Sequence, residues 1–135
     1  MNVEWLILAD AAEVNGGKLY LLGGGWNQLA ANKFPFPHNM AIAVSFKIPW
    51  TQTNEKHSFE ISIADSDGRS VAKVPGQFEV GRPVGVPVGQ EQRAQIVVNL
   101  NWTINQAGGY AVAVRLNGEE GGLFPFSVVV GPKQS

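Results

Sequence analysis

Few stretches of this sequence have residue types and spacings that could do chemistry, and each can be set against a mechanism. Leu21-Leu22-Gly23-Gly24-Gly25-Trp26 places three glycines directly after a strand-like run. A dinucleotide loop requires G-x-G-x-x-G, but the position three after Gly25 is Gln28. A P-loop requires Gly-Lys followed by Ser or Thr, but Gly17-Lys18 is followed by Leu19. Both loops also need a helix behind them, and no helical pattern follows. The triplet therefore predicts a bend that carries a strand from one sheet to another.

Asp65-Ser66-Asp67-Gly68 has the alternating oxygens of a calcium loop, yet Arg69 occupies the third ligand position and Gly76 the place of the bidentate glutamate. An EF-hand is excluded; a solvated hairpin loop is the plainer reading. The histidines are His38 and His57, without metalloprotease spacing, and no G-x-S-x-G accompanies His57-Ser58. Asp10 and Glu13 could pair as acids, but a three-residue offset on a strand puts them on opposite faces. Of the tryptophans, Trp5 and Trp102 fall on core faces by alternation. Trp26 lies beyond the bend, and Trp50 stands beside a polar loop, where an aromatic can stack on a ligand.

The elements that would position these groups are strands. Met40, Ile42, Val44, Phe46 and Ile48 alternate with Ala41, Ala43, Ser45 and Lys47. The same period of two runs through Phe59–Ile63, Ala94–Trp102, Tyr110–Leu116 and Phe124–Val130. Asn15-Gly16-Gly17 and Asn117-Gly118 have hairpin chemistry, and the Pro-rich pieces 34–37 and 82–87 read as edges or sheet-to-sheet connections. The fold expected is all-β: an antiparallel sandwich of about eight strands, immunoglobulin-like, in a single domain over residues 1–135. Val3–Val14 and Leu19–Trp26 are apolar on both faces, so each needs cover on both faces. The long loops at 30–38 and 81–91, a terminus, or another subunit could supply it.

Composition narrows the function classes. There is no cysteine, which removes disulfides, thiolate nucleophiles and thiolate metal sites. Ten Lys+Arg against eleven Asp+Glu leave a net charge of −1, with the cations scattered singly, so no nucleic-acid footprint is expected. Glu4 precedes the first apolar run where a secretory signal would carry a basic start, and Trp5–Ala9 is far shorter than the roughly 20 residues that span a bilayer. A soluble cytoplasmic protein without a membrane partner is expected.

The opening Leu8-Ala9-Asp10-Ala11-Ala12-Glu13-Val14-Asn15-Gly16-Gly17-Lys18-Leu19, with Leu22-Gly23-Gly24-Gly25-Trp26, resembles a family of small bacterial proteins of unknown function. The likeness extends to the last hairpin, Tyr110 through Asn117-Gly118-Glu119 to Pro125-Phe126. It implies a free-standing β-sandwich and carries no catalytic residue across.

The reading is a non-catalytic binding or assembly module, with no cofactor or metal, that self-associates or meets a protein partner through its first two strands. Leu6, Leu8, Tyr20, Leu22 and Trp26 are the candidate contact residues. The low charge content, 16%, and the alanine-rich outer faces (Ala41, Ala43, Ala111, Ala113) motivate it. One alternative is a small-ligand or carbohydrate binder using Trp50, Trp26, Asp65 and Asp67. Another is a hydrolase pairing His38 or His57 with Asp10 or Glu13.

Overall fold

Alternating apolar residues build the strands of two sheets, whose apolar faces meet in one core. The computed structural model describes residues 1–131. The first sheet contains β1 (Asn2–Asn15), β2 (Lys18–Gly24), β4 (Phe36–Ile48) and β7 (Gln92–Ile104), in the order β2-β1-β4-β7. The second contains β3 (Gln28–Ala31), β5 (Lys56–Asp65), β6 (Ser70–Glu79), β8 (Gly108–Leu116) and β9 (Glu119–Val130), in the order β3-β9-β8-β5-β6. A 3-10 turn, Trp50–Gln52, follows β4. Among the described residues no helix is long and apolar enough to cross a membrane.

Two departures from expectation have local causes. Among the described residues nine strands form, where about eight are expected, and β3 runs parallel to β9, with Gln28 opposite Ser127 and Ala31 opposite Val130. Four residues with one large apolar side chain carry no readable period; β3 exists because β9 supplies its partner. The glycine triplet does make the expected bend. β2 ends at Gly24 in the first sheet, Gly25 follows at φ 90°, and β3 begins in the second sheet at Gln28. At Gly23, φ is 64° and a Cβ would run into the Asp10 carboxylate, so both backbone and space require glycine.

Ile42, Val44 and Phe46 from one sheet meet Ile61, Ile63, Val112 and Val114 from the other. Phe46 and Phe78 stack at 5.3 Å near one end, while Trp102, Tyr110 and Phe126 cluster near the other. Leu6 pairs with Val44 and Leu8 with Ile42, so both leucines point into this core. Trp5, Ile7 and Ala9 pair with Ser45, Ala43 and Ala41 and occupy the outer face; Trp5 is thus not a core-face residue.

That outer face is not open. Ala9, Ala41, Ala43 and Ser45 are all 0% exposed, although they lie on the face turned away from the second sheet. The cover is the sheet itself. β2 and β7 are its two edges, and in a flat sheet they would lie about 14 Å apart. Instead Gln95 Nε2 on β7 donates to the Gly17 carbonyl at the β1–β2 hairpin tip, at 3.2 Å. β1 leaves β4 after Ala9 and continues with β2 alone, so the hairpin curls over the outer face. The sheet becomes a half-barrel, and neither the 30–38 nor the 81–91 loop is needed as the cover.

Candidate functional site

The β1–β2 hairpin is closed by Gly16 and Gly17 at φ 60° and 75°, the left-handed pair that a type I′ turn requires. Asn15 and Lys18 face each other across it, followed by Glu13 with Tyr20 and Ala11 with Leu22. Beyond Ala9 the hairpin has no second sheet beneath it. Its apolar side chains are therefore left in water: Tyr20 is 52% exposed, Leu22 72%, and Val14 and Leu21 39% each. A shallow depression of about 370 Å³ runs between Ala11, Ala12, Glu13, Tyr20, Leu21 and Leu22.

Of the five residues assigned to a contact surface from sequence, the hairpin presents only two, Tyr20 and Leu22. Leu8 is a core residue, 6% exposed, and Leu6 packs against the core from the same face. The sequence could not choose between Leu6/Leu8 and Trp5/Ile7, since both sets are apolar; pairing with β4 makes the choice. Trp26 is half-buried, edge-on to His38 at 6.0 Å and to Phe126 at 6.3 Å. It closes an end of the core and lines a cleft of about 260 Å³ with Leu6, Leu8, Phe124 and Pro125. Val14 and Leu21, absent from the sequence assignment, complete the exposed set. Their signal was the lack of a long strand to cover the second half of the hairpin.

Trp50, Asp65 and Asp67 are not brought together as a ligand site. The Arg82 guanidinium lies 4.1 Å over the Trp50 ring and its Nη2 donates to the Trp50 carbonyl at 2.9 Å. Arg82 Nε also donates to Thr53 Oγ1, whose hydroxyl donates to Trp50 O at 2.7 Å. This cluster fixes the base of the β6–β7 loop and leaves Trp50 with one face covered. Asp65 Oδ1 accepts from the Asp67 and Arg69 amides at 3.0 and 2.9 Å, closing its own hairpin loop. Among the described residues no three His, Asp or Glu side chains gather as a metal site.

His57 is buried with both ring nitrogens engaged. Nε2 donates to the Gln52 carbonyl at 2.7 Å, and Nδ1 accepts from Asn117 Nδ2 at 3.1 Å. Both nitrogens are thus held in hydrogen bonds within the chain. His38 lies at the opposite end of β4, stacked on Phe36, and burial pushes its imidazole below the usual histidine value, with Asp10 opposing that effect. Its Nδ1 and the Trp26 Nε1 are buried without hydrogen-bond partners among the described residues. Glu13 pairs with Tyr20, the Asp10 side chain lies against Gly23, and the two acids fall on opposite faces as the offset requires.

A further exposed feature escaped the sequence reading. Pro83-Val84-Gly85 and Pro87-Val88-Gly89 form two successive turns, with Gly85 and Gly89 at φ 92° and 87°. The amides of Val86 and Gln90 return to the carbonyls of Pro83 and Pro87. Val84 and Val88 project from the turn corners at 107% and 87% exposure. The repeated Pro-Val-Gly spacing was the readable signal.

Fold and site together define a two-sheet all-β protein with a curled first sheet and one exposed apolar hairpin. The chain belongs to DUF6941, a family of unknown function, whose sequence pattern matches residues 4–129. No curated protein matches it.

Proposed function

We propose that this protein is a non-catalytic assembly module that self-associates through its β1–β2 hairpin. The observation that carries the reading is the exposure of Tyr20 and Leu22, 52% and 72%, on β2, whose outer edge no described strand occupies. Contiguous apolar side chains in water mark contact surfaces, and an unpaired strand edge invites another strand. The complete engagement of His57 and the capture of Trp50 by Arg82 favour this reading over hydrolysis or ligand stacking.

We further place the fold among immunoglobulin-like sandwiches in its general two-sheet packing; the parallel β3–β9 pair and the curled sheet set it apart from the regular form. Assignment to a bacterium rests on the resemblance of the opening stretch.

The test is molar mass by light scattering across about a hundredfold dilution, since association follows mass action. The wild-type chain is expected to associate at the concentrated end. Leu22→Glu is expected to abolish association while leaving the unfolding midpoint of the dilute protein unchanged. A wild-type monomer throughout, or a Leu22→Glu variant that still associates, overturns the proposal.

A further inference from the structure

Turn chemistry decides which backbone groups of β2 look outward. The two-residue turn makes Asn15 and Lys18 a hydrogen-bonded pair, so Glu13/Tyr20 and Ala11/Leu22 are hydrogen-bonded pairs too. The N–H and C=O groups of Lys18, Tyr20 and Leu22 therefore point towards β1. Those of Leu19 and Leu21 point away from it, to an edge that no described strand occupies. At Gly23 the backbone turns to φ 64° and the extended edge ends.

We infer that the occupant of this edge is a second copy of the chain, its β2 antiparallel to the first, with Leu19 of each copy opposite Leu21 of the other and Tyr20 facing Tyr20 across a twofold axis. This rests on the self-association reading and specifies its geometry. Centring on Tyr20 uses both outward residues of each copy and forms four backbone hydrogen bonds. Centring on Leu21 would need Gly23, whose positive φ takes it out of the ladder, and would keep only the two bonds between facing Leu21 residues.

Side chains and charge agree with that register. On one face, the two Tyr20 rings meet where a non-hydrogen-bonded pair brings side chains closest. Beside them, Lys18 of each copy lies opposite Leu22 of the other and covers it with its aliphatic stem. On the opposite face, Leu19 meets Leu21. Lys18 is the one charged residue of β2. The two Lys18 positions are four residues apart along the ladder, about 14 Å, beyond the roughly 8–10 Å over which exposed charges are felt at physiological salt. The contact is isologous and closes as a dimer, joining the two curled sheets edge to edge.

The other edges are defended. β3 has four residues, β6 carries Pro75 and Lys73, and β7 displays Arg93, Asn99 and Asn101. Among the described strands, β2 alone offers an apolar edge.

Because the chain has no cysteine, single cysteines report the register directly. In the proposed dimer, Lys18 of one copy and Leu22 of the other are about 4.5 Å apart at Cα, inside the disulfide range of about 4.4–6.8 Å. Two Leu22 positions, like two Lys18 positions, are about 14 Å apart. Mixing Lys18→Cys with Leu22→Cys under mild oxidation is expected to give a covalent dimer, while each variant alone stays uncrosslinked. Tyr20→Cys alone is expected to crosslink to itself. Leu22→Cys crosslinking alone as readily as the mixture overturns the register. A wild-type dimer by light scattering with no 18–22 disulfide and no Tyr20→Cys disulfide overturns β2 pairing while self-association stands. A monomer at every concentration overturns both.

Discussion

Alanines line the outer faces of both sheets, and their surroundings differ. Ala41 and Ala43 on β4 are 0% exposed, whereas Ala111 and Ala113 on β8 are only half-buried. The residue type and the alternation are the same, so the difference lies in shape. The first sheet folds its own hairpin over its outer face; the second leaves Ala111, Ala113, Ser62 and Glu60 facing solvent. Small residues therefore serve two ends. On β4 they permit tight curvature, and on β8 they leave a flat, low-relief surface.

Substitution should separate the two faces most strongly where volume is added. Ala43→Leu is expected to destabilise the fold by about 1–3 kcal/mol, the usual cost of overpacking. Ala113→Leu should stay within about 0.5 kcal/mol. Chemical denaturation of both variants measures the contrast, and equal losses would break it.

Polar contacts should show a smaller difference in the same direction. Gln95→Ala removes the bond that holds the hairpin tip to β7, at an expected cost of about 1 kcal/mol. Lys73→Ala removes an exposed ion pair to Glu60, 3.8 Å long, on the open side, and is expected to cost between about 0 and 1 kcal/mol, towards the low end. The contrast sharpens if Gln95→Ala also raises hydrogen exchange in residues 9–24 and Lys73→Ala does not.

The smallest effect at neutral pH appears only on acidification. On the closed side, hydrogen bonds from Arg93 and Ser45 hold the Glu4 carboxyl below its ordinary value of 4.5. Its contribution is present above that value and is lost as pH falls further towards the lowered folded value. His38, lowered by burial from 6.5, acts higher. The unfolded chain takes the proton first, so stability begins to fall as pH drops below 6.5. Denaturation at stepped pH should show both stages. His38→Gln should flatten the upper stage and Glu4→Gln the lower, and an unchanged profile in either variant would remove that assignment.

Much of this fold was legible because period-two alternation is local. β4, β5, β7, β8 and β9 follow from it directly. β6 went unread, since Pro75 demotes a run whose place is an edge strand, and β3 is too short to carry a pattern. The curl was invisible for a different reason. It depends on Gln95 meeting Gly17, residues 78 apart, and no window of sequence contains both. The same limit misplaced Leu8 and left Trp50 looking available, because the β4 strand that sets the face of Leu8 and the Arg82 that covers Trp50 are both distant in the chain. The exposure of Tyr20 and Leu22 lay closer to reach, because the hairpin that presents them is itself local.

The parallel pairing of β3 with β9 also governs the order in which the protein can assemble. Three hairpins, β1–β2, β5–β6 and β8–β9, join neighbours in the chain and can form early, within microseconds. β3 must wait for a partner some hundred residues downstream, and Phe126 and Val128 of that partner also finish the core. During synthesis, the half-barrel can curl once β7 has emerged and before β8 and β9 complete the second sheet, while the face of β4 bearing Ile42, Val44 and Phe46 waits for Val112 and Val114 of β8 to finish its cover. Refolding from denaturant should accordingly run in milliseconds to seconds, the pace of non-local β-topologies, with the amides of Leu29–Ala31 among the last to gain protection.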